Sequence, residues 1–221
     1  MAVDRHLNYF ELQKACAKPG CPLCSIVSAR ADRYMDNLLF EHVSDRGFRA
    51  SYRAAGGFCD FHARNLTGYR DGLAVAILGR DILEDRIAAF KKRAKWKPRD
   101  RCPVCLERER IEREYLTFLA QADADGRGGA TEAADELELR AAFESSEGLC
   151  APHYGLLLEV AKRVPSWLSA YQERKFDALM KRASDFIEYS AYGRQEDFAK
   201  LSEADQVVWK ELAASLRGSC S

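Results

Sequence analysis

The chain has 221 residues, eight of them cysteine, with 34 Lys plus Arg balanced by 34 Asp plus Glu. That length suits one large domain or two small ones, and the neutral total gives no net pull toward nucleic acid or an anionic bilayer. No run of 18 apolar residues is present, so a spanning helix is excluded.

The chain opens on a polar stretch, "MAVDRHLNYFELQKAC", without the apolar core of a secretory signal, and a cytoplasmic address is expected. Cysteines in a reducing compartment then point to metal or redox chemistry rather than a disulfide framework. Cys16 has no companion at metal-ligand spacing upstream; a core or surface role is expected, with a thiol-exchange partner or spare ligand as the alternative. His6 and His42 lie outside any catalytic spacing, and a surface or helix-face role is expected for both.

"CPLC" follows at Cys21–Cys24. Beyond it, Ile26, Tyr34, Leu38 and His42 fall on one side of a predicted helix. "GFCDFH" occupies residues 57–62, where Gly57 can take a positive φ and Cys59-x-x-His62 opens a helix. In "GLAVAILGRDILEDRIAAFKKRA", Val75, Leu78, Ile82 and Ile87 form another stripe. From Arg86 to Arg101 there are eight basic residues and one acid, which reads as a solvated helix face, with a basic linker lying on the other module's acidic segment as the alternative.

"CPVC" then repeats at Cys102–Cys105, followed by a helical stripe of Ile111, Tyr115, Phe118 and Leu119. The glycine-rich "ADADGRGGATEA" reads as an inserted loop, within an acidic stretch from Asp123 to Glu147. "GLCAPHY" at 148–154 repeats the Gly, bulky apolar, Cys-x-x-His pattern. A long helix is predicted from Pro165, with proline at its start. A last helix is expected between Ser202 as N-cap and Gly218 as C-cap. Cys220 reads as an exposed thiol. No segment alternates with period two, so the fold expected is all-α.

Cys21 and Cys102 are 81 residues apart and Cys59 and Cys150 are 91 apart. The offset marks an internal duplication with an insertion in its second copy. The expected organisation is two tandem helical modules, 1–97 and 98–221, the second carrying a C-terminal helical extension.

Two cysteines at i and i+3, with proline restricting the turn, can aim both sulfurs at one ion. Cys and His at i and i+3 on a helix's first turn do the same. Paired within each copy, the expected metal sets are Cys21, Cys24, Cys59, His62 and Cys102, Cys105, Cys150, His153. Three thiolates and one imidazole fill a tetrahedral ion, which suits structural zinc, two ions per chain. Iron–sulfur clusters normally take four cysteines. Between the ligand pairs lie 34 and 44 residues, unlike the roughly 12 of a C2H2 DNA-reading finger. No glycine-rich phosphate loop or nucleophile elbow is present.

The order of CPLC, a helical span, "GFCDFHARNL", CPVC and "GLCAPHY", with "FIEYSAYGR" and "VVWKELAASLRG" after it, resembles the bacterial family catalogued as domain of unknown function 6062. The resemblance implies the same boundaries and ligands and supplies no reaction. The function expected is a structural-zinc helical protein that works by binding another protein, not a membrane or nucleic acid, and more readily a non-enzyme. The alternatives are a thiol/zinc redox sensor, or an iron-containing enzyme or electron carrier.

Overall fold

In a computed structural model, residues 5–69, 71–122, 130–191 and 193–218 are described. Among them every regular element is helical and none is a strand. In chain order these are α1 (Arg5–Cys16), α2 (Pro22–Asn37), which continues through a π turn at Leu38–His42, α3 (Arg46–Ala55), α4 (Asp60–Asn65), α5 (Gly72–Lys91), α6 (Pro103–Gln121), α7 (Ala130–Glu144), α8 (Ala151–Val160), α9 (Ser166–Tyr189), α10 (Gln195–Phe198), α11 (Glu203–Gln206) and α12 (Val208–Arg217). No helix among the described residues is long and apolar enough to cross a membrane.

The chain divides into two compact units, Val27–Ile111, and Met1–Ile26 together with Glu112–Ser221. The division is nested: one unit is an excursion within the other. It does not follow the sequential boundaries 1–97 and 98–221. Both dividing points fall inside helices, in α2 and α6.

Within Val27–Ile111, the core gathers Met35, Leu38 and Leu39 from α2 and its π turn, Tyr52 and Phe58 around the end of α3, Leu78 from α5 and Val104 from α6. Asp45 and Asp71 cap α3 and α5, each accepting a backbone N–H of the first turn. Arg49 and Arg53 on α3 reach Asp81 and Asp85 on α5, two bidentate ion pairs one helical turn apart. Gly56 closes α3 with φ +72°, and a Cβ there would strike the Trp96 ring. Of the predicted α5 stripe, Leu78 is buried and Val75 and Ile82 half-buried, but Ile87 is exposed. At 100° per residue, Ile87 sits on the far side of the helix from Leu78. His42 is likewise exposed, whereas Ile26 and Leu38 are buried.

In the other unit, α1 packs on α7, and α8, α10, α11 and α12 each pack on α9 or α12. Phe143 meets Trp167 and Tyr171 edge-on at 6.0 and 5.8 Å. Arg182 on α9 holds Asp205 and Glu211, both at 2.6 Å, which fixes α11 and α12 against it. The single last helix expected between Ser202 and Gly218 is two helices, α11 and α12, broken at Val207, with the two caps at the outer ends. Ser202 accepts from the Asp205 amide and Gly218 ends α12. Residues 123–129 of the inserted loop and Cys220 lie outside the described residues, and the loop's last four residues, 130–133, belong to α7.

Candidate metal centres

All four Cys/His words open helices. Cys21 and Cys102 precede Pro22 and Pro103, the first residues of α2 and α6, where a missing N–H costs nothing. Their carbonyls already accept the first helical hydrogen bonds, from Ser25 and Leu106. Cys59 and Cys150 are the N-caps of α4 and α8, both extended, with ψ 167° and 161°. Each pair is therefore an N-cap sulfur and a ligand three residues on, side by side on a first turn where amide donors favour thiolate charge.

The other letters of each word have jobs as well. Leu23 and Val104, between the cysteines, are 0% and 1% exposed, so they anchor the turn in apolar core. Phe58 and Leu149 do the same before the Cys-x-x-His words. Gly57 and Gly148 turn the chain at φ +95° and +76°, a conformation L side chains rarely adopt. The buried Gln172 amide then brackets Leu149, accepting from its N–H and donating to its carbonyl, both at 2.8 Å.

The eight predicted ligands form two clusters, with the partners exchanged relative to the expectation. Cys21, Cys24, Cys150 and His153 make one, here the outer centre; Cys59, His62, Cys102 and Cys105 make the inner centre. The first copy's Cys-Pro-x-Cys word thus meets the second copy's Cys-x-x-His word, and the reverse. In the first copy, the helices between the two words differ about twofold in length. α2 and its π turn run 16 and then five residues, about 30 Å, whereas α3 has 10, about 15 Å.

The spacings fit a tetrahedral ion. With Zn–S near 2.3 Å and Zn–N near 2.05 Å, a tetrahedron needs S···S of about 3.8 Å and S···N of about 3.6 Å. In the outer centre Cys24 and Cys150 sulfurs are 3.7 Å apart, and His153 Nδ1 lies 3.4, 3.5 and 3.2 Å from Cys21, Cys24 and Cys150. In the inner centre Cys59 and Cys105 are 3.6 Å apart, and His62 Nδ1 lies 3.2, 3.5 and 3.5 Å from Cys59, Cys102 and Cys105. In both, Nδ1 faces the sulfurs, and each cluster could hold a metal ion.

Without a cation the crowded groups oppose one another's ionisation. Hydrogen bonding to Cys150 and Cys24, with burial, pushes the Cys21 thiol up. Cys150 is lowered by its contact with Cys21, but Cys24 and burial outweigh this and raise it to about 12. Burial disfavours charge on His153, yet Cys21, Cys24 and Glu112 hold its proton, to about 11. In the inner centre burial raises Cys105 to about 12 and pulls His62 down. Burial opposes the Cys59 thiolate, but the His62 and Phe61 amides and the neighbouring sulfurs favour it more, and its value falls. A divalent ion held by either cluster would offset these penalties, because its charge favours thiolates and a neutral imidazole.

The centres differ in their surroundings. All four outer ligands are buried, whereas Cys59 and Cys105 are half-buried. His153 Nε2 faces the Glu112 carboxylate at 3.5 Å, the carboxylate–histidine pairing that fixes a metal ligand's ring. His62 Nε2 is buried with no hydrogen-bond partner among the described residues. Gly218 also passes against the outer sulfurs: a Cβ there would lie 3.3 Å from Cys150 Sγ and 3.6 Å from Cys24 Sγ. Neither Glu112 nor Gly218 was legible as a site residue, since their only sequence signals are a helix-face acid and a C-cap. A cleft of about 620 Å³ borders the outer centre at Cys21 and Cys150, with Phe176, Lys175 and Lys210 on its walls.

Cys16 joins neither cluster. It is 5% exposed, and burial pushes its thiol up to about 12, the behaviour of a core residue. His6 and His42 are exposed.

The chain is 25% identical over 179 residues to the "Uncharacterized 23.9 kDa protein in xynA 3'region" of Caldicellulosiruptor sp. (strain Rt8B.4), an alignment covering 78% of this chain and 83% of that protein. No family model matches the chain, so the likeness to domain of unknown function 6062 gains no support there. No solved structure matches it.

Proposed function

We propose that this chain is a structural two-zinc protein, in which each ion pins two helix N-termini together and the resulting helical surface binds another protein. The observation that carries the reading is the ligand count. Each cluster supplies four atoms at tetrahedral spacing, whereas a catalytic zinc keeps a position open for water or substrate. Cys3His favours zinc over an iron–sulfur cluster, which normally takes four thiolates. No step of a reaction is assigned to either centre.

The test is elemental analysis and a visible spectrum of protein purified without oxygen. Two zinc ions per chain and no visible absorption are expected. Sulfur-to-iron charge-transfer bands, or fewer than two metals in protein that is fully folded, would overturn the reading.

The half-exposed Cys59 and Cys105 favour one second reading, in which the inner centre releases its ion on oxidation. Peroxide would take two electrons from these two thiolates, forming one S–S bond and, with two protons, two waters. Cys102 and His62 alone would then hold the ion weakly. Retention of both ions in millimolar peroxide removes this reading.

A further inference from the structure

α5 has two faces. Ala74, Leu78 and Asp81 are buried toward its own unit. On the opposite side Leu73, Ala76, Arg80, Leu83, Ile87 and Phe90 are all exposed. Their spacing is three, four, three, four, three, so at 100° per residue they fall within an arc of about 100° centred opposite the buried face. Leu73, Leu83, Ile87 and Phe90 are 74%, 56%, 41% and 65% exposed. A helix apolar on both faces is one that is covered on both, and this 3–4 spacing is the seam that another helix fills.

We propose that this seam is a self-association surface, on which a second copy of the chain docks antiparallel through its own α5. Charge selects both the partner and the direction. Arg80 sits in the middle of the seam and Glu84 beside it, already within 3.6 Å of each other. In a parallel pair Arg80 would stack on the partner's Arg80, and Arg86 would approach the partner's Lys91. Antiparallel about a twofold axis between Arg80 and Leu83, each Arg80 instead meets the partner's Leu83 and Glu84. The same register uses the whole seam. Leu73 lies opposite the partner's Phe90, and Ala76 opposite the partner's Ile87, small against large. One polar residue at such a position fixes register at a cost in affinity, and a single helix pair is at the low end of stable interfaces. A dissociation constant of about 1–100 µM is expected.

This names the partner that the interaction reading leaves open. It does not depend on the metal, so failure of the zinc analysis leaves the following test intact. Sedimentation equilibrium of the full, metal-replete chain should show the mass rising with concentration from 24.9 kDa toward twice that value. Leu83→Asp and Ile87→Asp, on exposed positions, should each weaken the dimer at least about tenfold, with unchanged helicity and metal content. Arg80→Glu should weaken it, and adding Glu84→Arg should restore it. A photocrosslinker at position 90 should reach the partner near Leu73. The proposal falls if the chain stays monomeric above about 300 µM, three times the weakest affinity expected. It also falls if Leu83→Asp leaves a dimer intact, or if the crosslink joins position 90 to the partner's position 90.

Discussion

Cys59 and Cys102 come from different copies of the duplication, yet they face the same inner centre. Paired substitutions therefore read the connectivity directly. Cys59→Ser with Cys102→Ser should leave one metal per chain, and Cys24→Ser with Cys59→Ser should leave none. Pairing within each copy reverses both counts. Gly218 sets a second test at this scale. Its φ of +71° and ψ of 158° belong to glycine, and Gly218→Ala also presses a methyl on Cys150 Sγ, a strain of about 1–3 kcal/mol. The expected outcome is faster removal of the outer ion by a chelator, with the inner ion's rate unchanged. Equal rates in variant and parent would mean that the end of α12 does not cover the sulfurs. Cys16→Ser should change neither rate, because a buried thiol raised to about 12 offers almost no thiolate at neutral pH.

Between elements, the α3–α5 contact depends on a carboxylate that is 1% exposed facing a guanidinium that is 30% exposed. That asymmetry predicts unequal losses. Arg49→Ala strands the Asp81 charge and should cost on the order of 3 kcal/mol, whereas Asp81→Ala leaves an arginine that water can reach and should cost less. Denaturant unfolding of the two variants measures the difference. The hydrogen bonds from Arg49 hold Asp81 below the usual carboxylate range. Its contribution is present above about pH 4, the unfolded value, and is lost as pH falls through the lower folded value. Acid titration of the parent should show this loss, and Asp81→Asn should remove it. This ladder was not legible in the sequence, because Arg49, Arg53, Asp81 and Asp85 form it only once α3 and α5 are side by side. The helices themselves were legible, since stripes such as Ile111, Tyr115 and Leu119 are buried as their period requires. Ile87 was misplaced because α5 carries two apolar faces, and a single-stripe reading merges them. The short α1 carried no distinct apolar period from which to place it.

Across the whole chain, the sequence names all eight clustered Cys and His residues but not which word meets which. Two Cys-Pro-x-Cys words and two Cys-x-x-His words allow a sequential or a nested pairing, and loop closure hardly separates them. A roughly fourfold longer loop costs only about 1 kcal/mol more, little beside the 10–16 kcal/mol scale of zinc binding in small fingers. Loop entropy therefore leaves the pairing to contacts that exist only in the folded chain. The nested arrangement also fixes what metal removal does. α4 and α8 have six and 10 residues, too few to persist alone, and each begins at a ligand. α9 has 24 residues and buries Trp167, Leu168, Tyr171 and Leu179, so it does not depend on an ion at its start. Chelation should therefore remove hydrogen-exchange protection first over residues 57–65 and 148–160, with far-UV helicity only partly lost and α9 still protected. The inner segment should open before the outer one, since Cys59 and Cys105 are half-buried and His62 lacks the carboxylate that steadies His153. Unchanged protection in both segments after complete chelation would show that packing alone holds the four helix starts in place.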